Sequence, residues 1–252
     1  MRMFTTPPEQ DGPVWMVNFM KYKEEAAYAD GSRGISGQEA DDKYSPVEIL
    51  TELGAEVPFF GDVVLQLAGQ DFKWDRVGVV KYPTRAAFLG MQNRKDFLDK
   101  HEHKEAGMEF TFVVGCQPVE LPNKLRVKPE NWDSIEHAPT EEDGPVMVVH
   151  LLKFVEGGRQ GDMEEYQSKA FTVAQKHGGG AAAVFTVEGT IMGDGRNWDQ
   201  IRFHEYPSRA AFMAATNDAQ AVKDQQKRES VVDSYSLILR PSINTLAQST
   251  QR

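Results

Sequence analysis

The chain has 252 residues, with 28 Lys or Arg against 38 Asp or Glu, so its formal net charge at neutral pH is −10. That balance, with no basic cluster to offset it, excludes a nucleic-acid footprint, and a lone cysteine, Cys116, excludes an internal disulfide framework and fits a reducing compartment. No window is apolar over the length of a membrane span, and the polar stretch from Met1 to Gly12 lacks a signal-peptide core, so a cytoplasmic protein without a membrane partner is expected.

What organises the chain is repetition. Residues 12–116 and 144–240 are two copies of one sequence. Gly12-Pro13-Val14 recurs as Gly144-Pro145-Val146, Trp74-Asp75 as Trp198-Asp199, and Tyr82-Pro83-Thr84-Arg85-Ala86-Ala87-Phe88 as Tyr206-Pro207-Ser208-Arg209-Ala210-Ala211-Phe212. From Gly54 to Cys116 the copies align without a gap. Two like modules are implied, each large enough for its own core. Positions where the copies differ are released from the demands of the shared fold.

In chain order, Val14–Lys21 is a nearly continuous apolar run and reads as a strand covered on both faces. Between Tyr22 and Gly54 the first copy is eight residues longer than the second. There Ala29-Asp30-Gly31-Ser32-Arg33-Gly34 marks residues 23–44 as an extended loop, either plain surface or a lid at the barrel mouth. Ser45-Pro46 then opens a helix that Gly54 closes. Val57–Leu67 and Arg76–Tyr82 read as strands joined by a Gly69-Gln70-Asp71 turn. Thr84 caps the next helix, Asn93 restarts it, and Gly107 stops it before a last strand, Phe110–Cys116. A connector follows at 118–143, rich in proline and acidic at its end, with Trp132 as its anchor. The second copy repeats the order, its first helix opened by Asp162 and Glu165 spaced as a capping box and its hairpin turned by Gly193-Asp194-Gly195. The expected divisions are a first repeat at 1–117, the connector at 118–143, a second repeat at 144–245 and a polar tail at 246–252.

Strand, helix, strand, strand, helix, strand is the order of a ferredoxin-like sheet, antiparallel with helices on one face. Its bare face needs a cover. Two tandem copies supply it by packing sheet on sheet, so the fold class expected is α+β, an α+β barrel made of two βαββαβ repeats within one chain.

A resemblance supports that architecture. Val17-Asn18-Phe19-Met20-Lys21-Tyr22, echoed by Val149-His150-Leu151-Leu152-Lys153-Phe154, resembles the first strand of a domain-of-unknown-function family in the dimeric α+β barrel superfamily. The Trp-Asp and Tyr-Pro-Ser/Thr-Arg-Ala-Ala-Phe blocks and His103-Lys104-Glu105-Ala106-Gly107-Met108 are similar to it too. By fold the resemblance implies kinship with cofactor-independent monooxygenases, EthD-like proteins, polyketide cyclases and muconolactone isomerase, and, as fused pairs, with haem-binding chlorite dismutases. One fold hosts many chemistries, so it implies architecture more than activity.

Strand alternation sorts side chains between the two sheet faces. Val77 and Val79 match Ile201 and Phe203, an apolar parity expected to face the helices. The opposite parity, expected to face the cavity between the sheets, holds Arg76, Gly78, Val80 and Tyr82 in the first copy and Gln200, Arg202, His204 and Tyr206 in the second. Neighbouring strands add Asn18 and Asp62 from the first copy, and His150, Glu188 and Ser236 from the second, with Ser236 aligned to Phe112. An apolar wall with a few convergent polar groups suits a small-molecule ligand, and histidine is the natural proton shuttle there.

The leading expectation is a small-molecule-binding barrel that acts as a cofactor-independent enzyme, of isomerase, cyclase or monooxygenase type, on a small apolar or aromatic substrate. His204 or His150 would be the base, with Arg202 and Tyr206 stabilising negative charge. Asn18, Asp62, Tyr82, Glu188 and Ser236 would line the ligand. No cofactor is required by this reading and no metal cluster is evident. A non-catalytic binder uses the same pocket, and a haem or metal protein would take His150 or His204 as axial ligand. Plainer accounts stand beside these: a cross-strand Glu188–Arg202 ion pair, core histidines bonded across the barrel, and Tyr82 and Tyr206 as structural corners. An exposed barrel edge could also mediate a homo-oligomer. His101-Glu102-His103-Lys104-Glu105 has the wrong spacing for a metal pair and reads as a surface helix face. Cys116 lacks any evident activation.

Overall fold

The computed structural model describes residues 5–69, 71–155, 171–193, 195–218 and 231–251. The capping box at Asp162 and Glu165 and the turn residues Gln70 and Asp194 lie outside that set. The strands are β1 Val14–Tyr22, β2 Glu56–Ala68, β3 Arg76–Tyr82, β4 Met108–Pro118, β5 Val146–Phe154, β6 Gly180–Met192, β7 Gln200–Tyr206 and β8 Val231–Asn244. They close into one barrel in the order β1-β3-β2-β8-β5-β7-β6-β4, with β4 returning to β1. Each half keeps the ferredoxin-like arrangement, β4-β1-β3-β2 and β8-β5-β7-β6, and every pairing is antiparallel.

The halves do more than stack. β2 hydrogen-bonds β8, and β4 hydrogen-bonds β6, so both seams are continuous sheet. Closure satisfies the edge donors and acceptors. The open barrel edge that the sequence suggested as an oligomer surface is therefore absent among the described strands.

The largest departure from expectation is which face looks where. Val77, Val79, Ile201 and Phe203 do not face the helices. They lie inside the barrel with Trp15, Val17, Phe19, Phe59, Phe112, Trp198 and Tyr235, all 5% exposed or less. The mixed parity faces outward to the helices, where Met16 and Tyr82 pack with Tyr44, Leu50, Phe88, Met91 and Phe97. The reason is geometric. A small closed barrel is filled by side chains from every strand and leaves its interior dry, so uniform apolarity marks the inside. Polar groups are tolerated on the helix side, where a cavity can reach water.

The duplicated motifs belong to this frame. Trp74 and Trp198 enter the barrel on either side of Tyr235, at ring-centroid distances of 5.8 and 5.6 Å. The aspartates that follow brace the first strand of each half, Asp75 accepting from Tyr22 N and Asp199 from Phe154 N, both at 2.7 Å. Asp11 and Asp143, each preceding a Gly-Pro-Val, accept from the first N–H groups of the helices Arg85–Met91 and Arg209–Asn217, all at 3.0 Å. Trp132 anchors its segment by donating from its indole to Gly178 O at 2.7 Å. No helix among the described residues is long and apolar enough to cross a membrane.

Within residues 23–44, read from sequence as loop, Gly37–Tyr44 is a helix with a complete Ser36/Glu39 capping box. It crosses the helix Lys95–Gly107 so closely that a Cβ on Gly37 would stand 2.3 Å from Gly107 O. The next helix is Val47–Glu52, with Pro46 at its N-cap and no side-chain cap bond. The C-terminal part of residues 23–44 is thus a packed helix.

Candidate active site

Between the outer face of the first-half sheet and these helices lies a cavity of about 540 Å³, in the size range of small-molecule sites. Its floor is Met16, Asn18 and Met20 of β1 with Val80 and Tyr82 of β3, and Leu50, Phe88, Met91 and Phe97 form much of the helical wall. Ile191 and Met192 of β6 also line it, so the second half completes the first half's pocket. The polar groups collect where the helix Gly37–Tyr44 meets Lys95–Gly107: Asp41, Tyr44, His101 and Lys104.

Each is shaped by its surroundings. Asp41 is 8% exposed, and burial raises its carboxyl above the usual range although the Tyr22 hydroxyl donates to Oδ2 at 2.6 Å. Behind it, Arg76 donates to Asp62 from Nε at 2.6 Å and to Asp42 from Nη1 at 2.7 Å, with its guanidinium 4.7 Å from the Phe60 ring centroid. Lys104 places its ammonium 5.3 Å from the Tyr44 ring centroid, and burial lowers its affinity for a proton while Asp41 partly opposes this. Burial and then Lys104 push His101 down, so its imidazole is neutral at physiological pH. Its Nδ1 is buried with no hydrogen-bond partner. Burial raises the Tyr44 hydroxyl well above the usual tyrosine range.

Of the residues expected from sequence, Asn18 and Tyr82 line this cavity. Asp62 does not; it is exposed and held by Arg76. Glu188 is not opposite Arg202. The β6–β7 register puts Arg202 against Val184 and its last pair is Thr186 with Gln200, and Glu188 instead meets Arg85 of the first half. Ser236 aligns with Val113 rather than Phe112, because His150 faces Ser236 across the ladder just as Asn18 faces Val113.

That register brings the second-half group together on the helix side of its own sheet. His150 Nδ1 lies 2.8 Å from Ser236 Oγ, its ring 5.5 Å from the ring of His204, which in turn stands 5.0 Å from Phe171 in the helical residues 171–176. Burial, reinforced by Arg202, drives the His204 imidazole down to about 3. Its Nε2 is sealed without a hydrogen-bond partner among the described residues. Arg202 Nε donates to Gln200 at 2.6 Å, and Tyr206 is packed with Phe212. Cys116 is fully buried, and burial raises its thiol far above the usual range. No group of three His, Cys, Asp or Glu that could hold a metal ion occurs among the described residues.

His101 and Lys104 were read from sequence as part of a surface helix face, and Asp41 and Tyr44 were not singled out. The available signal was the asymmetry between the copies: His101–Glu105 corresponds to Gln225–Glu229, which lies outside the described residues, and Asp41 and Tyr44 sit in the interval that is longer in the first copy.

No protein-family model and no curated protein matches the chain. Among solved structures, the RPA0582 protein of unknown function from Rhodopseudomonas palustris is 30% identical over 45% of this chain and 88% of that one, with a TM-score of 0.41. An anthrone oxidase-like protein is 10% identical over 94% of this chain and 96% of its own, with a TM-score of 0.57. A variant chlorite dismutase from Candidatus Nitrospira defluvii is 12% identical over 96% of each chain, with a TM-score of 0.50. At those low identities the last two share the fold, the closed α+β barrel. By sequence the chain belongs to the family of RPA0582.

Proposed function

We propose that this chain is a small-molecule enzyme of proton-transfer type, of the isomerase, cyclase or monooxygenase class, acting in the first-half cavity on an apolar or aromatic carbon acid. The observation that carries the reading is a neutral imidazole, His101, in the wall of an apolar cavity of about 540 Å³. A base held neutral there can take a proton from carbon, and the Tyr44 hydroxyl and Asn18 amide are donors in the same lining for the oxygen of the resulting enolate.

The His150, His204, Arg202 and Tyr206 group occupies the corresponding face of the second half and is the rival assignment. His204 is the weaker base of the two, because an imidazole held near 3 with a sealed Nε2 offers little basicity to a ligand. The same seal tells against His204 as a haem ligand, which needs its nitrogen facing open space.

The test is solvent-deuterium exchange into 2-tetralone, an aromatic ketone with acidic C–H bonds, followed by NMR with ligand-observed binding in parallel. Wild type is expected to bind the ketone and speed exchange. His101→Gln should bind it and lose at least about 10²-fold in exchange rate, and Val80→Trp should abolish binding by filling the floor. Exchange that survives in His101→Gln and disappears in His204→Gln would move the site to the second half. Binding unaffected by Val80→Trp would remove the cavity from consideration.

A further inference from the structure

We infer that Lys104 is an imine-forming nucleophile, and that the cavity takes aldehydes or ketones with an apolar body, joined reversibly through their carbonyl carbon. The inference rests on the cavity being the ligand site and adds a covalent step to it.

Three observations converge on this side chain. Lys104 lines an apolar cavity, where an ammonium is poorly solvated. Among the described residues it makes no direct ion pair, and Asp41 acts on it only at longer range. That carboxylate is already engaged by the Tyr22 hydroxyl at 2.6 Å and approached by Arg76 at 3.8 Å. Lys104 lies over the Tyr44 ring, and its charge acts on His101 one turn earlier on its own helix. Ordinary surface lysines in this chain look different: Lys95 is 88% exposed and bonded to Asp99 at 2.7 Å. A lysine desolvated in an apolar pocket is one that can present a free amine, and burial lowers its ammonium accordingly.

The step balances without an oxidant or reductant. The Nζ lone pair of the neutral amine adds to the carbonyl carbon, the C=O π pair moves to oxygen, and that oxygen takes a proton. The nitrogen then loses a proton, its lone pair closes the C=N bond, and the C–O bond breaks with loss of water after a second protonation. Asp41, whose carboxyl is held towards its acid form, is the proton source in the lining, and His101 is the acceptor. Net, an amine, a carbonyl and one proton give a protonated imine and water, and loss of the remaining N–H proton gives the neutral imine. Protonated, that imine acidifies the adjacent C–H bond, which links the step to the proton transfer proposed above.

The experiment is reductive trapping on the full chain with 2-naphthaldehyde and sodium cyanoborohydride, read by intact mass and peptide mapping. One adduct at Lys104 is expected, formed at least ten-fold faster than at Lys95, and lost in Lys104→Arg. Binding of 2-naphthylmethanol, which has no carbonyl, is measured alongside by ligand-observed NMR in wild type and Val80→Trp. If the alcohol binds the cavity but no preferential adduct forms at Lys104, the imine is overturned and the cavity reading stands. If the alcohol does not bind either, the cavity reading itself fails. An adduct that persists in Lys104→Arg would assign the reactivity to another amine and overturn the inference.

Discussion

Arg85→Met is expected to destabilise the chain by about 3–5 kcal/mol, the cost of breaking a buried ion pair by removing one partner. Arg85 in the helix Arg85–Met91 reaches β6 of the other half, where Nη2 donates to Glu188 Oε1 at 2.6 Å and Oε2 at 2.8 Å. Its Nη1 also meets Asp11 at 3.2 Å, and all three side chains are 9% exposed or less. Removing the guanidinium leaves Glu188 as a buried carboxylate without its partner. Asp11 suffers less. Burial raises its carboxyl, but backbone N–H groups of Arg85, Ala86 and Gly12, together with the Arg85 guanidinium, hold it below the usual range, and the backbone donors remain in the variant. The double variant Arg85→Met/Glu188→Leu should therefore recover to within about 1 kcal/mol of wild type, since apolar replacement of a buried pair is often neutral. Urea denaturation of the two variants measures both steps. A single-variant loss below about 1 kcal/mol would mean the pair is screened like a surface one.

The second copy provides the control. Arg209 repeats Arg85, and Asp143 repeats Asp11 with the same backbone bonds, yet Arg209 is 51% exposed and donates from Nε to Asp143 at 3.2 Å. Glu188 corresponds to Val64 in the first copy, so the buried pair exists on one side only. One duplicated arginine has become a staple between halves while its twin has stayed a cap.

This asymmetry shows what the sequence could disclose and what it could not. Duplication revealed the barrel because paired motifs such as Trp74-Asp75 and Trp198-Asp199 answer to one backbone. The β6–β7 register that sets Val184 opposite Arg202, and the β4–β6 bulge that skips Glu188 between Gly189 and Val187, are invisible to alternation, and with them Glu188 meets Arg85 rather than Arg202. The faces were inverted for a different reason. Period-two patterning says that Val77 and Val79 share a face, but a barrel interior and a helix-covered face can both be apolar, and only closure distinguishes them. Ser36 and Glu39 carry the spacing of a capping box, a signal passed over in a stretch read as loop from its glycines. His101 and Lys104 were hidden because a polar helix reads as solvated until a second helix, Gly37–Tyr44, is laid against it.

Two neighbours on β7 are expected to make stability depend on pH in opposite senses. His204 falls from 6.5 to about 3 on folding. The unfolded chain then binds a proton the native one refuses, so its contribution is complete above pH 6.5 and is lost as pH falls towards 3. Glu205 rises from 4.5 to about 7, chiefly through burial at 8% exposure, with Asn244 donating to it at 2.8 Å as a smaller opposing effect. Here the native chain holds the extra proton, so the contribution is complete below pH 4.5 and is lost as pH rises through 7. Between 4.5 and 6.5 the two slopes oppose each other, and the stability profile should be nearly flat there as far as these groups decide it. Glu205→Gln keeps an oxygen for Asn244 without a charge, and should exceed wild type by on the order of 3 kcal/mol at pH 8, with the gain vanishing below pH 4.5. His204→Gln should flatten the acid limb and leave the alkaline limb unchanged. Urea denaturation at pH 4, 5.5 and 8 separates them. A Glu205→Gln gain that is the same at pH 4 as at pH 8 would reflect packing, and ionisation of a buried carboxylate would then play no part in the alkaline limb.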